Sequence, residues 1–128
     1  MELKGKVVYS GKVRGEALVT GDQIAFYGGI DPEAGTISEK GHDLDGQSFA
    51  GKILVFPSGK GSTVGSYGIY RAKMGGVAPA GMINEDCEAI VAVGAIISEV
   101  PMVNAIDISQ IKTGDIVEID GDIVKIIK

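Results

Sequence analysis

At 128 residues, with 45% hydrophobic and 23% charged side chains, the chain has the composition of a folded protein. It has room for one compact domain, residues 1–128, and little for a complete multidomain enzyme. Seventeen acidic against twelve basic residues give a net charge of -5, which argues against nucleic acid or an anionic membrane as the main partner but leaves a local anion site open.

The N-terminus, MELKGKVVYSGKV, lacks the apolar stretch and small-residue cleavage site of a signal peptide. The longest nearly apolar run, Ala89 to Ile97, is far below the roughly 18 residues needed to cross a bilayer. The expectation is a soluble, cytoplasmic protein. Glycine, with 20 residues, is about double its usual ~7% and is dispersed, which means many tight turns between short elements.

In chain order, Lys6–Tyr9 and the stretch from Val13 to Val19 alternate between turn signals at Ser10-Gly11 and Thr20-Gly21-Asp22, and predict two short strands. Gly28 to Gly46 is rich in Gly, Pro and Asp and almost without period, which predicts a long ordered loop of the kind that is often functional. Ile53-Leu54-Val55-Phe56, four apolar residues ended by Pro57, predict a buried strand. After Gly61, a helix capped by Ser62 or Thr63 and stopped by Gly75-Gly76 follows from the spacing of Val64, Tyr67, Ile69, Tyr70 and Met74. Val77 to Ile83 predicts another strand. Asp86 to Ser98 fits a short helix, a strand or both, which periodicity does not separate. The alternation on either side of Asp120-Gly121 predicts a C-terminal β-hairpin.

The turn Ser58-Gly59-Lys60-Gly61-Ser62-Thr63 is the leading site for chemistry. Glycines let the backbone approach a ligand, and a helix N-terminus offers free N–H groups and partial positive charge. Such a turn binds an anion, or shifts Ser62 toward alkoxide so that it acts as base or nucleophile; a plain N-cap explains the same residues. The spacing matches neither a Walker motif nor Gly-x-Gly-x-x-Gly. His42-Asp43 would complete a Ser-His-Asp arrangement with Ser62, although His42 between Gly41 and Asp43 reads first as a solvated loop histidine. The single Cys87 excludes an internal disulfide and a self-contained iron–sulfur cluster, and suits a reducing compartment. Its acidic neighbours Glu85, Asp86 and Glu88 oppose thiolate formation and read as a solvated helix start, not a metal site. Asp31-Pro32-Glu33 reads as a turn, with ligand binding the alternative.

Taken together and in order, several segments resemble the aconitase X swivel-domain family over nearly the whole chain. They are Gly28-Gly29-Ile30-Asp31-Pro32-Glu33-Ala34-Gly35, Gly51 to Pro57, Gly59-Lys60-Gly61-Ser62-Thr63, Ala78-Pro79-Ala80, Gly94 to Pro101, and Gly114-Asp115 to Asp120-Gly121. The resemblance implies a mixed α/β fold, a swivelling β/β/α domain of the aconitase small-subunit type. It implies a heterodimer in which this domain closes over a large subunit carrying a [4Fe-4S] cluster, with none bound by this chain alone. The implied activity is that of a hydro-lyase acting on a small phosphorylated hydroxy acid, (R)-5-phosphomevalonate, in archaeal isoprenoid synthesis. The serine after Gly-x-Gly, here Ser62, is implied as the proton acceptor, with Gly59, Lys60, Gly61 and Thr63 around the substrate.

One departure stands out. Related swivel domains carry an arginine for the substrate carboxylate where this chain has Val64, so that group would come from Arg14, Arg71 or the partner. Two other readings stay open: another aconitase X dehydratase, such as one acting on a hydroxyproline, and a swivelling phosphohistidine carrier. The second needs a histidine after a Thr-Gly-rich signature, which is missing before His42.

Overall fold

The structure, a computed structural model, describes residues 1–60 and 65–127. Three strands open the chain, β1 (Glu2–Lys4), β2 (Lys6–Tyr9) and β3 (Lys12–Val19), followed by the short β4 (Ile24–Ala25), β5 (Ile30–Asp31) and β6 (Thr36–Ile37). Next come β7 (Ile53–Phe56), β8 (Gly59–Lys60), α1 (Gly65–Met74), β9 (Gly81–Asn84), α2 (Ala89–Ile97) and β10 (Met102–Asn104). The hairpin β11 (Ile116–Asp120) and β12 (Ile123–Ile126) ends the chain as its alternation predicts.

Eight strands form one sheet in the order β1-β12-β11-β3-β7-β9-β10-β2. Its two ends, β1 and β2, are separated in the chain by Gly5 alone, so the sheet must curl until its edges approach. A Cβ on Gly5 would strike the Asn104 carbonyl and the Val103 side chain, which is why the chain crosses there on a glycine. The strand predicted at Lys6–Tyr9 is β2, and β1 ahead of it is one the sequence pattern does not mark.

The curl creates two layers of strand. β7 shows why both are buried: Ile53 and Val55 face one way, into a core with Ile83, Val103, Val117, Ile119 and Val124. Leu54 and Phe56 face the other way, into a core with Leu18, Phe26, Ile69, Met82, Val91 and Ala95. A strand covered on both faces needs the unbroken apolar run seen in the sequence. β7, β9 and β10 run parallel, and successive right-handed crossovers in one direction put α1 and α2 on the same face. The result is a β/β/α stack.

The helix boundaries follow local chemistry. α1 ends in paired bonds from Val77 N–H to the Ala72 carbonyl (2.9 Å) and from Gly76 N–H to the Lys73 carbonyl (3.1 Å), with Gly76 at φ +76°. The residues after it are committed to that stop and to Pro79, so β9 starts at Gly81, later than the predicted Val77. Of the readings left open for Asp86 to Ser98, the helix is the one formed. No helix among the described residues is long and apolar enough to cross a membrane.

The 28–46 loop is anchored from within the chain. Its β5–β6 hairpin buries Ile30 and Ile37, and Leu44 and Phe49 add to the same core. Asp31 Oδ1 accepts the Glu33 and Ala34 N–H groups, so Asp31-Pro32-Glu33 is a turn held by its own aspartate.

Candidate functional site

The site is built at the carboxyl end of β7, where a parallel sheet sends its chain into the helix layer. Pro57 accepts two N–H bonds, from Glu85 and Asp86, and β8 pairs in parallel with β4, Ile24 opposite Gly59 and Ala25 opposite Lys60. Gly59 is buried, and a Cβ there would strike the Val91 side chain of α2. Its glycine therefore serves close packing against that helix. Gly61, Ser62, Thr63 and Val64 lie outside the described residues.

A cleft beside this segment is lined by Phe26, Gly59, Lys60, Gly65, Glu88, Ile90 and Val91, so the N-terminal ends of both helices border it. Glu88 is the N-cap residue of α2 and places a carboxylate at that helix's positive end. α1 has no acidic residue in its first turn, which leaves its positive end for an outside anion. Lys60 Nζ lies 2.8 Å from Glu39 Oε2, so the lysine considered for substrate binding is held by a carboxylate of the 28–46 loop. Glu39 carries no signal in the sequence, because nothing in an aperiodic loop predicts which residue it lays across β8.

Asn84 is a second residue the sequence reading passed over. It ends β9 opposite Phe56, is fully buried, and donates from Nδ2 to the Asp86 carbonyl at 3.2 Å. Its Oδ1 has no partner among the described residues, an omission that costs on the order of 1–3 kcal/mol. A polar residue closing an otherwise apolar strand was the available signal.

His42 corrects the sequence reading. It is buried, with its side chain 1% exposed, because the loop folds back over it. Nδ1 accepts the Leu44 N–H (3.1 Å), and Nε2 lies 2.9 Å from the Gln23 carbonyl, to which it donates in this tautomer. Both ring nitrogens are spent, so neither is available to a serine. Asp22, His42 and Asp43 bring their ligating atoms within 4.8 Å of one another, yet they form a clasp: Asp22 Oδ2 accepts the Asp43 N–H, and Asp43 Oδ1 accepts the Thr20 hydroxyl.

Cys87 is half-buried, and burial first, then the Asp86 and Glu88 carboxylates, push its thiol above the ordinary range against an opposing hydrogen bond from Asn84. Fewer thiolates form at neutral pH, and only the thiolate is nucleophilic. Iodoacetamide should therefore alkylate Cys87 in the folded chain more slowly than in urea-unfolded chain at pH 8, the two rates converging as pH rises. Equal rates at pH 8 would contradict this. One thiol in this setting does not fit an iron–sulfur cluster.

The two arginines are placed elsewhere. Arg14 pairs with Glu118 at 3.2 Å across β3 and β11, five residues or about 16 Å before the end of β3. Arg71 lies within α1, six residues or about 9 Å beyond Gly65, and its nearest carboxylate is Glu33 at 3.8 Å.

Comparison with known proteins agrees with this architecture. The family model for the aconitase X swivel domain matches residues 2–126. The phosphomevalonate dehydratase small subunit of Thermococcus sibiricus is 52% identical over 95% of this chain and 94% of its own. That of Methanocella arvoryzae is 53% identical over 94% of each, and that of Methanocaldococcus jannaschii 50% identical over 99% and 98%. The crystal structure of Thermococcus kodakaraensis aconitase X in its holo-form superimposes with a TM-score of 0.98 at 48% identity, over 100% of this chain and 99% of that one. A solution NMR structure of a UPF0107 protein does so at 0.90 and 44%, over 100% of each. The curled sheet and the helix pair are thus shared along nearly the full length of the chain, and the chain belongs to the aconitase X swivel-domain family.

Proposed function

We propose that this chain, as one swivel domain over residues 1–128, is the small subunit of a phosphomevalonate dehydratase. The observation that carries the reading is identity near 50% along almost the full length of relatives bearing that name. The reaction removes water from (R)-5-phosphomevalonate to give trans-anhydromevalonate 5-phosphate. A proton leaves the carbon beside the carboxylate, the neighbouring C–O bond breaks, and the carbon–carbon double bond forms between them.

This chain's contribution is the base. A serine hydroxyl is too weak a base unless its alkoxide is stabilised by positive charge and N–H dipoles. The reading gives that role to Ser62, three residues before α1, whose first turn carries no competing carboxylate. The same reading gives Gly59, Gly61 and Thr63 a substrate-binding role beside it. The large subunit holds the [4Fe-4S] cluster, which supplies Lewis acidity toward the departing hydroxyl. With Val64 after Thr63, Arg14 bound to Glu118 and Arg71 well along α1, the partner also provides the arginine for the substrate carboxylate.

Lys60 completes the anion site, released from Glu39 when substrate arrives. Lys60→Gln should raise KM about tenfold or more, the size of one charge-assisted hydrogen bond, with kcat changed less than about twofold. An unchanged KM would remove Lys60 from the substrate site. The carrier alternative is disfavoured by His42, whose ring is buried with both nitrogens engaged.

The reading is tested by anaerobic co-purification with the large subunit, followed by assay of water loss from 5-phosphomevalonate. Activity in the mixture and in neither subunit alone is expected. A cluster-loaded complex that leaves phosphomevalonate untouched would mean a different aconitase X substrate, a hydroxyproline being the first to try.

A further inference from the structure

α2 reads Ala-Ile-Val-Ala-Val-Gly-Ala-Ile-Ile, with no polar side chain anywhere on its surface. A helix apolar all round is normally buried; here only Val91, Gly94 and Ala95 are. Of the ten large hydrophobic side chains left exposed among the described residues, six lie on the two helices. They are Tyr67, Tyr70 and Met74 on α1, and Val93, Ile96 and Ile97 on α2. Each set follows helical spacing and forms one stripe.

The stripes are neighbours. Gly94 lets the helices close on each other, since a Cβ there would lie 2.6 Å from Ile69 Cδ1 and 3.2 Å from Ser66 Cα. The two exposed stripes therefore make one apolar band across the helix layer. At its edge, Tyr27, Tyr67 and Arg71 line a groove of about 340 Å³, with the Tyr and Arg composition that interface anchors favour.

We infer that this band is the docking surface for the large subunit, an inference that takes the partner's identity from the dehydratase reading. Two observations select that occupant. Both helices begin at the cleft around Gly59 and Lys60, so a chain that completes the active site there meets the helix layer next. In a chain of net charge -5, the two helices carry no acidic residue, and their charges are Arg71 and Lys73. The complementary surface is apolar with acidic groups at its rim, which gives the heterodimer its register.

The test is the double variant Val93→Lys/Ile97→Lys, co-expressed with the large subunit and compared with wild type and with Val7→Lys, an exposed apolar position on β2. Both replaced side chains are half-exposed, so the melting temperature should stay close to wild type, and lysine suits the C-terminal half of a helix. Affinity for the large subunit should fall about 100-fold or more in the double variant and stay unchanged in Val7→Lys. An unaltered affinity in the double variant overturns the inference. So does a small subunit that is dimeric alone and becomes monomeric in the double variant, because the band then belongs to a second copy. Turnover of the wild-type complex, read from the same samples, judges the dehydratase reading separately.

Discussion

Ser62→Ala in the assembled enzyme is expected to lower kcat on the order of 10²–10⁴-fold, the range for loss of a positioned general base, with little change in melting temperature or subunit affinity. The direction follows from chemistry: the proton beside a carboxylate is held tightly, and alanine offers no atom to receive it. The helix dipole and the backbone N–H groups remain in the variant, so binding of the anionic substrate should survive and KM should move little. The comparison requires holoenzyme reconstituted anaerobically, with cluster content matched between samples. Turnover within a factor of a few of wild type would transfer the base to the large subunit and leave the glycine turn a binding element.

Gly68→Ala is expected to destabilise the fold by about 1–3 kcal/mol, the range for an added methyl group in a packed interior. Helix propensity alone predicts the opposite, a gain of about 1 kcal/mol in the middle of α1. Packing decides the sign. The new Cβ would overlap the carbonyl oxygen and carbon of Phe26 and lie 3.4 Å from Ile30 Cδ1. A carbonyl cannot rotate aside as a side chain does, so α1 or the chain at Phe26 must shift. At roughly 3–5 °C per kcal/mol for a chain of this length, the melting temperature should drop measurably. Because Phe26 and Gly65 both line the candidate cleft, kcat should also fall in variant that remains folded. A rise in melting temperature would show that α1 leaves room for a methyl group beside the Phe26 carbonyl.

The elements were legible in the sequence where one local rule acted alone. Ile53–Phe56 reads as a buried strand, Gly75-Gly76 as a helix stop, and Asp120-Gly121 between alternating runs as a hairpin, and each is found there. Asp86 to Ser98 was ambiguous because its apolar run, Ala89–Ile97, has no period, and its helical state is decided by packing against α1 and the sheet. His42 was misread for a related reason. Its neighbours Gly41 and Asp43 are polar-loop residues, and nothing local says that Gln23, nineteen positions earlier, will present a carbonyl to it.

The sequence by itself determined the buried strand Ile53–Phe56, the helix stop at Gly75-Gly76, the C-terminal hairpin and the order of the family's motifs, because these depend on residues within a few positions of one another. Tertiary structure decided what depends on distant chain segments meeting. It curls the sheet so that β1 and β2 end on opposite edges, and buries His42 in a loop clasp. It sets Glu39 against Lys60, ties Arg14 to Glu118, and leaves an apolar band across two helices that no short-range pattern distinguishes from core. Side-chain periodicity reports that a residue prefers burial; only the assembled layers show whether this chain or its partner supplies the cover.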